Sequence, residues 1–477
     1  MMQTPKEYTK LILSIILVAV MVLPCYTIAF AKENPEFVRI GLKYISAAPS
    51  SCQITGNEDL AVWDFQGTET FYVLNSVKDV SVSVSNGAFS VSGVNNEELT
   101  CEAGGVTKKV SEMLLNGFSL VSGNYLEYLD SDGTVFDSTV KYDGKAYRGG
   151  ITFFMNANNT FNVINKLSID EYTYGVINGE MGYSNPLEAL KAQAVVARSY
   201  ALTNLGRHDY SGYDLCDSTH CQVYKGYSDE NEKTNMAVNE TKNLGIYYEN
   251  LPVSAFFSKN SGGYTQNVED VWNDELGYLR GVKDNYSPVY TWNVQFTFSE
   301  IESKLRSAGY NIGNLKSVAI TDNNSSGAVA AMEFTGDNGK VTLLKEKIRT
   351  ILGMTLIKST MFNIDEEINT TVASRGVYVR GFDFSKLTEE KIYVMDASGK
   401  TVELDKENSF VMDGNLSCKL FETQPDSSAV TGGVVTFDGL GSGHGVGLPQ
   451  DSAIEMAKQG FDFREILNYF YTDIEIK

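Results

Sequence analysis

The chain is poor in positive charge. It has 39 lysines and arginines against 60 aspartates and glutamates, which gives a formal net charge of −21. Nucleic-acid binding requires a basic surface, so this balance argues against that class of function. It also argues against adhesion to an anionic surface by charge alone. A neutral or amphoteric polymer such as a glycan remains compatible with the composition.

Proline is also scarce, with 9 residues in 477, while apolar residues make up 43% of the chain. This combination excludes a disordered chain and is typical of a globular protein. The length predicts roughly three domains of ordinary size. The 27 tyrosines and 24 phenylalanines favour strand-rich structure.

Long apolar runs are missing except near the N-terminus. Lys6 and Lys10 precede an almost wholly apolar stretch over residues 11–28, and residues 29–31 (AFA) make a small-x-small cleavage site. The pattern predicts a signal peptide over 1–31. Because the stretch is nearly long enough to span a bilayer, it also fits an N-terminal membrane anchor. Either interpretation predicts an exported protein, in the cell wall or at the outer face of the membrane.

The cysteines are too few and too spread for a disulfide framework. Cys25 lies in the predicted signal, which leaves an odd number of five. A local bridge between Cys52 and Cys101 stays open, as does one between Cys216 and Cys221 in an oxidising compartment. Cys418 has no evident partner in the sequence.

The alternation of apolar residues predicts the domain organisation. Residues 32–130 alternate in the manner of strands, and Asn86-Gly87 between two alternating segments predicts a hairpin. Residues 131–365 are predicted to form a mixed module, residues 366–430 a β-rich insertion, and residues 431–477 the closing helices of that module. The expected fold class is α+β, with a β-rich N-terminal portion and a central module built around an Ala-rich helix.

Two helices define the centre of that module. Ser168 and Glu171 form a capping-box signature, after which Tyr172, Val176 and Glu180 fall on one helical stripe. The carboxyl of Glu180 is therefore expected to be partly buried. Burial raises the pKa of a carboxyl group and keeps a proton available near neutrality, as a general acid requires. The alternative is a solvated carboxylate at a helix end.

The Ala-rich helix is predicted over residues 187–205 (LEALKAQAVVARSYALTNL). Small residues on several of its faces predict central packing. Gln193 and Arg198 are the polar residues on it that we expect to be buried and to brace the Glu180 turn by hydrogen bonds.

A short loop concentrates potential metal ligands. The chain has 3 histidines, and two of them, His208 and His220, fall within a few residues of Cys216 and Cys221. Thiolate and imidazole groups are the ligands that zinc prefers. The residues alone leave two alternatives, a zinc site with His208 or Glu180 as a fourth ligand and a Cys216–Cys221 disulfide.

Four ordered segments resemble the signatures of the stage II sporulation protein D family, which includes amidase-enhancer proteins. They are INKLSIDEYTYGVINGEMGYSNPLEALKAQAVVARSYAL (164–202), CQVYKGY (221–227), NSGGYTQNVEDVW (260–272) and GSGHGVGLPQDSAIEMAKQG (441–460). With the elements between them, the resemblance covers roughly residues 130–365 and 432–477. It implies that Glu180 is the catalytic residue and that Cys216, His220 and Cys221 bind Zn²⁺.

The later segments give further candidates for substrate binding. The resemblance implies a sugar groove lined by Ser261, Gly262, Gly263 and Tyr264, and an aromatic ring such as Trp272 suits a sugar face. The chain departs from the family at Lys259, where His or Ser is common, and over 448–452, where only the Gln is retained.

His444 lies in the glycine-rich segment 441–447. Its neighbours could present the imidazole to a ligand at a helix N-terminus, and the alternative is a structural histidine.

The resemblance implies a peptidoglycan lytic transglycosylase, which suits one carboxylate. Hydrolytic glycosidases normally need two carboxylates, whereas this reaction uses the C6 hydroxyl of the substrate as nucleophile. Glu171, Glu269 and Asp270 remain candidates for a second carboxylate. The expected partners are peptidoglycan glycan strands and a cell-wall amidase. The alternatives are a non-catalytic wall-binding or amidase-enhancing protein and a zinc-dependent wall hydrolase with Glu180 as base.

Overall fold

The computed structural model describes residues 37–64, 70–74, 76–103, 105–112, 118–122, 138–272, 274–365, 392–395, 401–404, 410–412, 418–420, 430–431 and 433–477. The predicted signal peptide over 1–31, the predicted boundary at 130/131 and most of the predicted insertion over 366–430 lie outside these residues. Among the helices of the described part, none is both long enough and apolar enough to cross a membrane.

Mixed sheets and α-helices make up the described residues, which confirms the α+β fold class. The helices are α1 (Ile169–Met181), α2 (Leu187–Thr203), α3 (Glu232–Asn239), α4 (Val268–Val271), α5 (Phe298–Ser307), α6 (Lys347–Leu352), α7 (Gln450–Lys458) and α8 (Phe463–Phe470). The strands are β1 (Val38–Lys43), β2 (Ser51–Gly56), β3 (Leu60–Asp64), β4 (Thr70–Leu74), β5 (Asp79–Ser85), β6 (Ala88–Gly93), β7 (Thr100–Ala103), β8 (Val106–Lys109), β9 (Phe118–Ser122), β10 (Thr139–Tyr142), β11 (Lys145–Arg148), β12 (Gly150–Met155), β13 (Phe161–Leu167), β14 (Leu215–Cys216), β15 (Ile246–Tyr248), β16 (Leu251–Pro252), β17 (Phe257–Ser258), β18 (Thr291–Thr297), β19 (Leu315–Asn323), β20 (Val329–Gly336), β21 (Gly339–Leu344), β22 (Phe362–Ile364), β23 (Ile392–Met395), β24 (Thr401–Leu404), β25 (Phe410–Met412), β26 (Cys418–Leu420), β27 (Val434–Leu440), β28 (Leu448–Pro449) and β29 (Glu475–Ile476).

The first compact unit comprises the described residues up to 171 together with 204–216. It contains a nine-stranded sheet in the order β14-β1-β13-β12-β9-β3-β4-β7-β8 and a five-stranded sheet in the order β11-β10-β2-β5-β6. The predicted hairpin is confirmed, since β5 and β6 pair with Ser85 opposite Ala88. Asn86 and Gly87 take the positive φ angles, 53° and 73°, that a type I′ turn requires.

The two cysteines of the possible local bridge, Cys52 and Cys101, lie on different sheets of this unit. Cys52 is on β2 and Cys101 is on β7, and neither forms a disulfide. The local bridge that the sequence left open is therefore not formed. Burial raises the pKa of the Cys52 thiol to about 12.

The second compact unit comprises residues 172–203 and the described residues from 217 onward. Helix α2 lies at its centre, as predicted, and packs against α3, α7 and α8. Its alanines allow this close packing because all of them are fully buried: Ala189, Ala192, Ala194, Ala197 and Ala201. The chain leaves the parallel pair β17–β28 after Asn260 and returns to it through Ser442, which bridges Asn260.

Between those two points the chain builds a second apolar core. Strands β18, β27 and β22 form one sheet, and β19, β20 and β21 form another. Their inward side chains pack with α5 and α6 around Ile301, Leu305, Met332, Phe334 and Phe437. Strand β21 runs through Leu344 because residues 339–344 pair with β20, and helix α6 begins at Lys347.

Candidate active site

Glu180 lies in the last turn of α1, on the predicted stripe. Tyr172 and Val176, two turns and one turn earlier, are fully buried, and the Glu180 side chain is partly buried. Burial raises the pKa of the Glu180 carboxyl, and hydrogen bonds from Val223 and Gln450 offset part of that rise. The partial burial expected from the helical spacing is therefore present, with the electrostatic consequence expected of it.

A glycine on α1 lets a neighbouring segment approach the helix closely. A Cβ atom on Gly175 would lie 2.4 Å from Cε2 of Tyr224, so any larger residue would push this segment away. The main-chain N–H of Lys225 donates to the Gly175 carbonyl at 3.0 Å. The same approach brings the N–H of Val223 to 2.8 Å from Oε1 of Glu180. The motif at 221–227 therefore supplies the donor that orients the carboxyl group.

Gln450, the first residue of α7, lies next to Glu180. Its Nε2 donates to the main-chain oxygen of Glu180 at 3.3 Å and to Oε1 of Gln193 at 3.4 Å. Gln193 is fully buried, as predicted, and its Nε2 has no hydrogen-bond partner among the described residues. Sequence analysis missed this role of Gln450, although its retention in an otherwise divergent segment was a signal.

Arg198 is buried, as predicted, and its guanidinium group contacts the chain that follows α3. Its guanidinium donates to the carbonyl of Leu244 at 3.0 Å and to that of Val238 at 3.5 Å. Arg198 follows Gln193 by five residues, which on an α-helix places it about 140° around the axis. The two side chains therefore lie on different faces of α2, and Arg198 hydrogen-bonds to the end of α3 and to the chain that follows it.

The remaining candidate carboxylates have other partners. Glu171 completes the predicted capping box, because its Oε2 accepts from the N–H and the hydroxyl of Ser168. Glu269 accepts from Arg280 at 2.7 Å, and the hydrogen bonds from this arginine lower the pKa of Glu269. Asp270 accepts from Asn267 at 3.0 Å. Each of these groups therefore has a structural role.

Four potential metal ligands lie together in one loop. The ligand atoms of His208, Cys216, His220 and Cys221 all lie within 4.8 Å of one another. Cys216 and Cys221 are thiols rather than the disulfide that the sequence left open. Two thiolates with two imidazoles form a complete tetrahedral donor set for zinc. Within the described residues, His208 is the fourth member of this group and Glu180 is not.

The hydroxyl of Ser261 is engaged by a buried acid. Ser261 is 2% exposed, and its Oγ donates to Oδ2 of Asp284 at 2.6 Å. The Ser452 hydroxyl donates to the same oxygen at 2.6 Å, and the Gly263 N–H donates to Ser261 Oγ at 3.1 Å. The predicted groove residue Ser261 thus holds a turn together, and Asp284 is a buried participant that sequence analysis missed.

The glycines of this turn allow two loops to pack closely against each other. Gly262 and Gly263 have φ angles of 71° and 105°, which favour glycine. A Cβ atom on Gly441 would lie 2.7 Å from the Gly262 nitrogen. Tyr264, the last of the four predicted groove residues, is partly buried.

His444 is held within its own loop. Its Nδ1 accepts from the N–H of Val446 at 3.1 Å, and its ring lies 5.0 Å from that of Trp272. Protein atoms crowd the ring although part of the residue reaches the surface. Burial, with a smaller contribution from the positive charge of Arg349, lowers the pKa of His444 to about 4. The imidazole is therefore neutral at ordinary pH, and both His444 and Trp272 pack against protein.

Comparison with known proteins shows which family this part of the chain resembles. Residues 157–248, which include α1, α2 and the ligand loop, match the family described as stage II sporulation protein (SpoIID). Residues 254–384 match a domain of unknown function.

Three curated relatives extend the match. The chain is 26% identical over 350 residues to an uncharacterized protein of Brachyspira hyodysenteriae, covering 72% of this chain and 76% of the relative. It is 26% identical over 449 residues to the amidase enhancer of Bacillus subtilis, covering 92% of this chain and 57% of the relative. It is 30% identical over 223 residues to stage II sporulation protein D of Bacillus subtilis, covering 43% of this chain and 63% of the relative. The chain therefore resembles the stage II sporulation protein D family, most directly over residues 157–248.

Proposed function

We propose that this chain is a peptidoglycan lytic transglycosylase in which Glu180 acts first as acid and then as base. The match to the SpoIID family and the amidase-enhancer relative support a role at the cell wall. The observation that carries the finer proposal is the Glu180 carboxyl, partly buried with a raised pKa and oriented by the Val223 N–H. Such a group retains its proton closer to neutrality than a solvated carboxyl does.

In the first step, protonated Glu180 gives its proton to the glycosidic oxygen between MurNAc and GlcNAc. The bond from that oxygen to C1 of MurNAc breaks, and the GlcNAc side leaves as an alcohol. Positive charge develops at C1, as in other glycosidic cleavages. The Glu180 carboxylate is then poised to act as a base.

In the second step, the C6 hydroxyl of the same MurNAc attacks C1 and Glu180 takes its proton. The 1,6-anhydro ring forms, and the carboxyl group returns to its starting state. Water is not consumed, so a second carboxylate to activate water is not needed. The structural roles of Glu171, Glu269 and Asp270 agree with this one-carboxyl scheme.

We propose that His208, Cys216, His220 and Cys221 hold one zinc ion. Four protein donors fit a structural site, whereas a catalytic zinc keeps one position open for water or substrate. The ion would supply a crosslink within the loop that precedes Val223. This donor set therefore disfavours the zinc-hydrolase alternative, in which Glu180 would serve as base to a metal-bound water.

The second candidate function is amidase enhancement at the wall without cleavage. The observation in its favour is the amidase-enhancer relative, whose match covers 92% of this chain. In either case we propose an exported protein that binds peptidoglycan glycan strands, with a cell-wall amidase as its protein partner. The sequence basis for export is the apolar segment at residues 11–28.

The deciding experiment digests purified glycan strands, with and without stem peptides, using the wild type and Glu180→Gln. Mass spectrometry separates the outcomes, because 1,6-anhydro products are one water lighter than hydrolytic products. Anhydro ends from the wild type alone support the proposal, and reducing ends indicate hydrolysis.

If the wild type cleaves neither the peptide-free nor the peptide-bearing strands, the transglycosylase proposal is overturned. Stimulation of a cell-wall amidase by both proteins would then favour the enhancer function. An anhydro product from Glu180→Gln would show that another residue is the acid.

A further inference from the structure

Two lysines converge on one tyrosine ring in the second unit. The Nζ of Lys259 lies 5.3 Å from the centroid of the Tyr290 ring, and the Nζ of Lys358 lies 5.2 Å from it. Lys358 Nζ is also 3.3 Å from the Tyr290 hydroxyl. Lys259 is exposed, while Lys358 and Tyr290 are partly buried, so solvent reaches this group.

One segment, from the glycine-rich loop to the start of α7 (441–451), holds the backbone of all three residues. The N–H of Gly441 donates to the carbonyl of Tyr290 at 2.8 Å, and the N–H of Gly443 donates to that of Lys358 at 2.8 Å. The main-chain N–H of Asp451, at the start of α7, donates to the carbonyl of Lys259 at 2.9 Å. The convergence is therefore built by one segment of chain.

The loop itself has little freedom to move. A Cβ atom on Gly443 would lie 2.7 Å from Cβ of Ser258, and Gly441 has a φ angle of 76°. The glycines permit a contact that larger residues would prevent. The three side chains consequently project from a preorganised backbone, which lowers the entropic cost of binding a ligand.

The charges of the two ammonium groups are left without a carboxylate partner. Within the described part of the chain, neither Lys259 nor Lys358 forms an ion pair. A contact with the face of an aromatic ring offsets only about 0.5–1 kcal/mol at an exposed position. In a chain of net charge −21, a pair of unneutralised cations on a fixed frame is a place where an anion gains energy by binding.

This group shares its anchor with Glu180. Asp451 holds the backbone of Lys259, and the preceding residue, Gln450, donates to the main-chain oxygen of Glu180. The start of α7 therefore contacts both Glu180 and the backbone of Lys259, so a polymer bound at Glu180 would lie on the element that also positions this lysine. Peptidoglycan strands carry carboxylates on the lactyl group of MurNAc and on stem peptides.

We propose that Lys259, Lys358 and Tyr290 form a site for carboxylate groups of the glycan strand. Lysine ammonium groups bind anions as compact point charges without demanding one fixed geometry, and the Tyr290 hydroxyl adds a donor. The site would increase the affinity for anionic strands over neutral glycans. The inference rests on the proposed function, because the substrate class comes from it.

The test measures binding in a Glu180→Gln background, so that strands stay intact. The probes are peptide-free strands, peptide-bearing strands, and both kinds after amidation of their carboxyl groups with methylamine. Against the parent, the double variant Lys259→Gln/Lys358→Gln is expected to bind unmodified strands about tenfold more weakly. Lys259→Arg/Lys358→Arg is expected to retain most of the affinity.

Lys347→Gln is the matched control. Its Nζ lies 5.3 Å from the ring of Tyr310 and belongs to a single lysine–tyrosine contact elsewhere in the unit. This variant should bind as the parent does. The parent should also lose affinity at high salt and after amidation, while the double Gln variant should respond to neither.

The two strand types identify the source of the carboxylate. An effect of amidation on peptide-free strands points to the lactyl group, and one confined to peptide-bearing strands points to the stem peptide. Three results would overturn the inference. The parent and the double Gln variant could bind unmodified strands with equal affinity, amidation of the strands could weaken the binding of both proteins equally, or the parent could fail to bind strands. Strand binding without anhydro products in the active protein would instead overturn the transglycosylase proposal alone.

Discussion

The Glu180 carboxyl and the Val223 main-chain N–H lie 2.8 Å apart, oxygen to nitrogen, although 43 residues separate them in the chain. A main-chain donor stabilises the ionised form of a carboxyl group, so it opposes the effect of burial on the pKa. The raised pKa of Glu180 is the balance between burial and the hydrogen bonds from Val223 and Gln450, of which that from Val223 is the larger. Removing the donor without removing the carboxyl group tests that balance.

Val223→Pro eliminates this N–H. Loss of this donor removes the larger of the two contributions that oppose burial, so the pKa of Glu180 should rise further. If Glu180 is the general acid, the descending limb of the pH–activity profile should move to higher pH, and the maximal rate should fall about tenfold through lost orientation. Val223→Ala keeps the N–H and is the control. A limb that moves equally in both variants, or to lower pH, would contradict the prediction.

Glu180→Gln should stabilise the fold at neutral pH. A carboxyl group whose folded pKa is raised contributes its full stability at low pH and loses it as the pH rises through the interval between the unfolded and the folded pKa. Glutamine has no such titration and still offers an oxygen to Val223. Thermal unfolding should give a higher Tm for the variant at pH 7 and a smaller difference near pH 4. A Tm difference that does not change with pH would argue against a raised pKa.

Gly175→Ala should destabilise the protein, although alanine favours a helix by about 1 kcal/mol over glycine. The new Cβ would lie 2.4 Å from the Tyr224 ring, and such overpacking costs about 1–3 kcal/mol. The displaced segment would also withdraw the Val223 N–H from Glu180. Urea unfolding and strand cleavage measure both losses.

Gly179→Ala is the control on the same helix. Its Cβ would lie 3.2 Å from Cγ of Lys225, an exposed and flexible side chain, and 3.4 Å, an ordinary contact distance, from Cγ1 of Val223. We therefore expect a change in unfolding free energy close to zero or slightly favourable. Equal losses in the two variants would show that the helix, rather than the contact with Tyr224, responds to the substitution.

Local patterns predicted the part of the site that lies within one helix. The spacing of Tyr172, Val176 and Glu180 was enough to predict a partly buried carboxyl group. It could not predict that Gln450, 270 residues away, donates to the Glu180 carbonyl. Periodicity reports which face of a helix is buried, whereas the partner of that face depends on how distant segments fold back.

The turn at Ser261 shows the same limit. A Ser-Gly-Gly sequence indicates a polar, flexible turn, and from the sequence its hydroxyl is as available to a ligand as to the protein. In the structure the Ser261 hydroxyl donates to Asp284, 23 residues later, and the Ser452 hydroxyl donates to the same carboxylate oxygen. The buried acid has no local signature, since its partners come from two distant segments.

The Gln193–Gln450 contact makes a prediction for a double-mutant cycle. Gln450→Met would leave the fully buried Gln193 amide without a partner in the described structure, at a cost of about 1–3 kcal/mol. Adding Gln193→Met should recover most of that cost, because replacing both partners with apolar groups is nearly neutral. Urea unfolding of the two single variants and the double variant measures the coupling. Additive losses would contradict a direct contact.

The last prediction concerns the ligand loop. If His208, Cys216, His220 and Cys221 hold zinc, the purified protein should contain about one zinc per chain by elemental analysis, and Cys216→Ser should contain little. Cys52→Ser is the control, because the Cys52 thiol, whose pKa is raised to about 12, is a poor source of thiolate. Since metal binding contributes to folding stability, chelation should lower the Tm of the wild type and leave that of Cys216→Ser unchanged.

The loop leads to Val223, so metal loss should also affect the site next to it. Chelated protein should lose strand cleavage, and zinc should restore it in the wild type but not in Cys216→Ser. Because Glu180 is not a member of the ligand group, Glu180→Gln should keep its full zinc content. A zinc content that falls in Glu180→Gln would place this carboxylate on the metal, and the acid role proposed for it would then be wrong.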